Sequence, residues 1–273
     1  RSLKYTALAL LGIAPRKRPK VYLVKIGMTQ PWVRKLRALR LVIDRWFLRF
    51  AAAIVVLGDA QESELIQVLN YPPQRIVRIP NGRRLPEFCR EVRDHQRSGV
   101  VLFVGALEPE KNPIAAIRIV RKLRESAPHV RLRMLGDGSM ADEVRNALSL
   151  LDMERSTELV GDVENIWAHI ADASALLVCS HTEGVPGAAI EAMMVGVPVV
   201  AWRVGDLPML VQGAPGCQIS DYGDEVALAE SLATVFRQSN LHARTMLAAR
   251  ARSEFAIEGI AGRYLRVMFP ERS

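Results

Sequence analysis

Cysteine is scarce in this chain of 273 residues: Cys89, Cys179 and Cys217 stand far apart, with none of the close spacings used by zinc or redox sites. Three isolated thiols suit a reducing compartment. Long apolar runs are missing too. The longest near the start, Tyr5 to Ala14, is about ten residues, half of the roughly twenty that a membrane-spanning helix needs. Arg1 and Lys4 before it imitate a secretion signal, but no small-residue cleavage site follows and Pro15 leads into the basic loop 16–20. No initiating Met is present, so Arg1 is expected to lie inside a longer gene product. The full six-residue glycine fingerprint of dinucleotide folds is absent, as is any Asp-x-Asp pair suited to a divalent ion. The histidines form no ligand cluster; His95, His129, His169 and His242 read as surface or helix residues.

What is present is an ordinary water-soluble composition, 49% apolar and 24% charged, long enough for one large core or two modest ones. Net charge is +8, which favours anionic partners. The basic residues are not interleaved with stacking aromatics and match no nucleic-acid reading module, so no nucleic-acid partner is expected.

From Val100 onward short apolar runs alternate with amphipathic stretches, the pattern of strand-helix units around a parallel sheet covered on both faces. Strands are predicted at Val100 to Val104, Leu132 to Leu135, Leu159 and Val160, Ala175 to Cys179, Val197 to Ala201, and Cys217 to Ile219. Helices are predicted at Pro113 to Ser126, Met140 to Leu151, Ile166 to Ala171 and Ile190 to Val195. A smaller alternation precedes Gly82: strands Val21 to Val24, Ala53 to Leu57 and Ile76 to Ile79, helices Trp32 to Phe50 and Gln61 to Leu69. The expected organisation is α/β throughout. A partial domain at 1–84 and a linker at 85–99 lead into a complete doubly wound domain at 100–256, and a helix at 257–273 returns to the first domain.

The stretch Ser180 to Pro198 holds the most chemistry. It leaves a buried strand, passes through a loop with Glu183, Gly184, Pro186, Gly187 and Ala188, and enters a helix carrying Glu191. Doubly wound sheets bind ligands beyond the carboxyl ends of their strands, and free N–H groups at a helix start suit a phosphate. Two carboxylates beside it suit sugar or ribose hydroxyls; a loop acid and a helix acid with no shared role explain the same spacing. Glycine turns close two earlier strands, Gly105 to Asn112 and Gly136-Asp137-Gly138-Ser139, where a backbone can approach a ligand closely. Lys111 precedes a helix that Asn112 could cap, and it offers a point charge to a phosphate or simply to solvent. His181 is read as bordering the same pocket.

Taken in order, these segments resemble the family-4 class of retaining glycosyltransferases with GT-B architecture, over about residues 54–268. The landmarks are Pro80-Asn81-Gly82, Gly105 to Lys111, Gly136-Asp137-Gly138, Leu159-Val160-Gly161, Ala171-Asp172-Ala173, Glu183 to Glu191, and Gly196 to Val200. The resemblance implies a nucleoside diphosphate sugar as donor substrate, no cofactor and no metal. It implies Lys111 as the cation on the diphosphate and Glu183 facing the donor sugar, the two catalytic residues. Glu191 would bind ribose, Gly161 to Val163 the base, and the amides around Gly187 and Ala188 the diphosphate, with Gly105, Gly136, Gly138 and Gly184 lining the donor site. Three positions depart from the family pattern. Ala106 stands where an arginine is common, Gly205-Asp206-Leu207-Pro208-Met209 replaces a Gly-Gly-x-Pro-Glu loop, and the family's N-terminal glycine loop and its histidine have no counterpart.

The helix expected over 32–50 gathers Trp32, Leu36, Leu39, Ile43, Trp46, Phe47 and Phe50 on one side, with Arg34, Lys35, Arg37, Arg45 and Arg49 largely opposite. Packing on nearby strands explains that pattern, and so does contact with an anionic membrane surface. The expected acceptor is a carbohydrate or a lipid-linked one, and the expected location is the cytoplasm, including the cytoplasmic face of a membrane. A nucleotide-sugar epimerase or hydrolase of the same fold, or a non-catalytic nucleotide-sugar-binding fragment, remains open at this point.

Overall fold

A computed structural model describes residues 20–25, 44–92 and 98–269. The chain divides into two compact units, residues 1–81 with 260–273, and residues 82–259. The segment expected as a linker, 85–99, lies inside the larger unit.

In the smaller unit β1 (Val21–Lys25), β2 (Ala51–Val56) and β3 (Ile76–Arg78) form a three-stranded parallel sheet in that order. Helix α1 (Asp59–Gln67) connects β2 to β3. Ile54, Val56, Leu65, Leu69 and Tyr71 form one buried cluster. Val55 and Ile79 meet Ile260 in another. Of the helix expected over 32–50, residues 44–48 are helical, with Phe47 and Leu48 buried and Trp46 exposed. Residues 32–43 lie outside the described residues.

The larger unit holds a six-stranded, all-parallel sheet. Its strands are β4 (Val100–Val104), β5 (Arg131–Leu135), β6 (Thr157–Gly161), β7 (Ala175–Val178), β8 (Val199–Trp202) and β9 (Gln218–Ser220). Their spatial order is β6-β5-β4-β7-β8-β9. The order reverses between β4 and β7, so the loops leaving these two strands diverge and open a crevice at their carboxyl ends. The central strands read VVLFV, ALLV and VVAW and are almost wholly buried, since both faces of the sheet carry helices.

Helices α2 (Pro113–Arg124), α3 (Ala141–Leu150), α4 (Trp167–Ala171), α5 (Gly187–Met194), α6 (Leu207–Val211), α7 (Glu225–Gln238) and α8 (Leu241–Phe255) complete this unit. On one face α2 and α7 bury Ile117, Val120, Leu123, Leu228 and Leu232 with Phe103 and Trp202. The other face gathers Ile190, Met193, Leu247 and Phe255 around Leu102 and Leu176, with α8 packed on α5. Arg244 of α8 is buried there, donating from Nε to the Gly196 carbonyl at 3.0 Å and from a terminal nitrogen to the Ala173 carbonyl at 2.9 Å. It thereby satisfies carbonyls left by the turn after α5 and the turn before β7. A last helix, α9 (Ile257–Met268), begins in the larger unit and belongs to the smaller one from Ile260 onward.

Three expectations are corrected. Helix α5 starts at Gly187, three residues before Ile190, because Pro186 occupies the N-cap and its carbonyl accepts from Ile190 N–H. Strand β8 starts at Val199, after Gly196 turns the chain with φ +79° and Pro198 removes a ladder donor. Asn112 does not cap α2 with its side chain: its backbone is left-handed, φ 54°, and Pro113 takes the first helical position.

Candidate functional site

The loops that leave β4 and β7 meet at the point where strand order reverses. Lys111, on the first loop, donates from Nζ to Glu183 Oε1, on the second, at 2.6 Å. Ser180 Oγ donates to the same oxygen at 2.7 Å. Glu183 is 8% exposed and Lys111 32%, so the cation faces the crevice while the acid is held beneath it. The backbone stitches the loops together as well, His181 N–H donating to the Glu110 carbonyl at 2.8 Å. Of the expected site residues, Lys111 and Glu183 are thus brought together. His181 turns to another partner, its Nδ1 lying 2.6 Å from the Tyr222 hydroxyl.

Glycines set how closely these loops approach. The Lys111 stem crosses Gly105, where a Cβ would lie 3.3 Å from two of its methylene carbons. Gly136 has φ +123°, and a Cβ there would run into the Gly105 carbonyl. Gly105 N–H donates to the Leu135 carbonyl and Gly136 N–H to that of Gly161, so the ends of β4, β5 and β6 are locked in series. Ser139 donates twice to the Glu108 carboxylate, from its N–H at 2.8 Å and its Oγ at 2.6 Å. These bonds hold the Glu108 carboxyl below its usual range. At the ends of the other strands, a Cβ on Gly161 or Gly184 would meet open space, and Val163 packs partly buried against the adjacent core.

Helix α5 supplies the remaining features. Gly187 and Ala188 are its first residues, and N–H groups at that position have no intrahelical acceptor. Glu191, one turn on, has its carboxyl pushed up by burial, an effect the Arg83 guanidinium opposes. Arg83 Nε lies 2.8 Å from Glu191 Oε1. The two side chains form an ion pair. The same guanidinium lies against Gly187, where a Cβ would collide with it. Sequence reasoning passed over Arg83, one arginine in a charge-dense segment. The only local signal was the Asn81-Gly82 turn before it.

Gly205, φ +52°, presses its Cα against the Glu183 carbonyl, where no Cβ fits. This gives the divergent 205–209 loop a visible task, supporting the backbone of Glu183. Among the described residues no group of three or more His, Cys, Asp or Glu could hold a metal ion, and no helix is long and apolar enough to cross a membrane. A cation, two carboxylates and a helix start beyond the carboxyl ends of one sheet can bind a phosphate and neighbouring hydroxyls together.

Residues 98–238 match the family model described as "Glycosyl transferases group 1". The chain is 31% identical over 163 residues to a D-inositol 3-phosphate glycosyltransferase of Corynebacterium efficiens, covering 57% of this chain and 38% of that protein. It is 25% identical over 177 residues to a Campylobacter jejuni N-acetylgalactosaminyltransferase whose named substrate is a diphospho-undecaprenol-linked glycan, covering 63% of this chain and 48% of that one. The chain thus spans less than half the length of either. Among solved structures, Anabaena Alr3699/HepE in complex with UDP superposes with a TM-score of 0.82 at 20% identity, over 98% of this chain and 76% of that one. That likeness is one of fold, the α/β GT-B type.

Proposed function

Because the chain belongs to the Glycosyl transferases group 1 family, we propose that it carries the donor site of an enzyme that moves a sugar from a nucleoside diphosphate to an acceptor hydroxyl with retention. One observation carries the reading: Lys111 and Glu183 meet at the strand-order reversal, on the loops of β4 and β7. That is where a doubly wound sheet binds a nucleotide.

In the reaction the bond between the sugar's anomeric carbon and the diphosphate oxygen breaks, and its electron pair stays on the diphosphate. The acceptor oxygen bonds to the same face of that carbon, and its proton passes to the leaving phosphate oxygen. Negative charge grows on the diphosphate as this happens. Lys111 and the N–H groups at Gly187 and Ala188 are fixed beforehand where that charge develops, which is the arrangement that lowers such a barrier. Glu183, held by Ser180 and Lys111, would accept from donor-sugar hydroxyls. Glu191 would accept from the ribose, and the turn Gly161 to Val163 would meet the base through its backbone. Gly105, Gly136, Gly138 and Gly184 would keep the walls low. Protein cations and amides take the part a divalent metal plays elsewhere.

The acceptor is a carbohydrate or a lipid-linked one, as the name of the Campylobacter relative suggests, and the enzyme would work at the cytoplasmic face of a membrane. The basic and apolar residues between 32 and 50 would make the peripheral contact, apart from Phe47 and Leu48, which are buried. The acceptor side would be carried by the smaller unit, residues 1–81 with 260–273, and the chain spans less than half the length of those two relatives.

Calorimetric titration with UDP, GDP and ADP tests the reading. Saturable binding of one nucleotide, weakened in Lys111→Ala, is the expected result. Absence of binding to all three, in a folded chain, would overturn the donor-site reading.

A further inference from the structure

We propose that Arg83 is a second cation of the diphosphate seat, acting together with Lys111 at the start of α5; this rests on the donor-site reading above.

The charge inventory raises the need. The loops 105–112, 136–139, 161–163 and 179–186, which rim the crevice at β4, β5, β6 and β7, hold one Lys or Arg, Lys111. Against it stand Glu108, Glu110, Asp137, Asp162 and Glu183. Lys111 is itself already paired with Glu183. A diphosphate placed there would meet a rim of net negative charge unless another cation stood close.

Arg83 is placed to be that cation. Its guanidinium rests on Gly187, the first residue of α5, and only the absence of a Cβ lets it lie so close. The backbone holds it there from both sides. Arg83 N–H donates to the Phe255 carbonyl at 2.8 Å, and the Arg83 carbonyl accepts from Ile257 N–H at 3.0 Å. A positive group at the amino end of a helix is opposed by the helix dipole, since that end attracts anions. Here a guanidinium and free helix N–H groups converge, and an anion lying between them relieves the repulsion. The ion pair with Glu191 offsets it in part. One terminal nitrogen of Arg83 donates to the Gly82 carbonyl at 3.1 Å and Nε faces Glu191, which leaves the other terminal nitrogen, the one lying against Gly187, for phosphate oxygens.

The test compares diphosphates with monophosphates. Wild type, Arg83→Gln, Arg83→Lys and Gly187→Ala are titrated by calorimetry with UDP, GDP and ADP and with UMP, GMP and AMP, thermal unfolding confirming that each is folded. Arg83→Gln is expected to weaken the diphosphate that wild type binds by about tenfold or more, with a clearly smaller loss for the matching monophosphate. Arg83→Lys should recover part of the loss, and Gly187→Ala, which pushes the guanidinium aside, should reproduce it. Equal loss for both nucleotides would place Arg83 behind Glu191 as a ribose support and overturn the proposal. Unchanged or tighter diphosphate binding would overturn it as well, making Arg83 a plug that a ligand must displace. Failure of wild type to bind any of the six would sink the donor-site reading itself, a result separable from either of these.

Discussion

Lys111 and Glu183, 72 positions apart, share a hydrogen bond of 2.6 Å across the point where the strand order of the large sheet reverses. The acid pairs with the cation that a diphosphate would need. Removing one partner therefore has opposite effects on two ligands. Lys111→Ala should weaken nucleoside diphosphate binding by about tenfold to a hundredfold, the range for a charged hydrogen bond. Glu183→Gln should leave diphosphate binding unchanged or tighter while sugar transfer from the intact donor falls steeply. Calorimetry and a transfer assay on the same preparations check the pair; parallel loss in both assays for Glu183→Gln would contradict it.

Glu191 is expected to discriminate ribose. Glu191→Ala should lower affinity for the ribonucleotide and remove its advantage over the 2′-deoxy form, read by competition titration.

The same carboxyl has a pH signature. Burial is the larger influence and raises it above the ordinary 4.5, with Arg83 opposing. A carboxyl raised on folding contributes stability that is fully present below its unfolded value and is lost as pH rises through the folded one. Denaturant unfolding from pH 4 to 7 should thus show wild type losing ground to Glu191→Gln as pH rises; a constant difference would contradict this.

Gly205→Ala should cost about 1–3 kcal/mol, the range for forcing a side chain into strained backbone, because φ is +52° and the new Cβ meets the Glu183 carbonyl. Gly184→Ala, with open space around it, should be close to neutral. Thermal unfolding separates the two.

The thiols should be silent in the native protein. Burial pushes Cys179 up to about 12 and Cys217 up to about 11, and Cys89 is also buried. Near pH 8 a thiol reagent should modify the folded chain slowly, and all three cysteines readily after denaturation, by mass spectrometry.

Much of the larger unit could be read from its residues because its strands are covered on both faces. Val100–Val104 and Ala175–Val178 appear as unbroken apolar runs, as buried parallel strands must. Lys111, Glu183 and Glu191 were legible for a different reason: each sits in or just beyond a turn whose glycines mark a strand end. Helices α7 and α8 were not assigned, although Asp224 and Asn240 cap them by accepting from Ala227 and Ala243 N–H. In α8 the apolar stripe Leu247, Ala248, Ala251, Phe255 begins with a charge, Arg244, at a core-facing position, which blurs the helical period. The start of α5 was misplaced because Gly187 has weak helix propensity, and the cap came from the Pro186 backbone. Arg83 was invisible for a stronger reason. Its position depends on backbone bonds to Phe255 and Ile257, and no local pattern relates residues so distant in sequence.

Those two backbone bonds also set an order of assembly. A ribosome releases residues 83 and 187 well before it reaches 255, so for that interval the start of α5 exists without the clamp that carries Arg83 to it. The nascent chain can form the sheet and the Lys111–Glu183 pair first. The backbone bonds that hold Arg83 beside Gly187 can form only after Phe255–Ile257 have emerged.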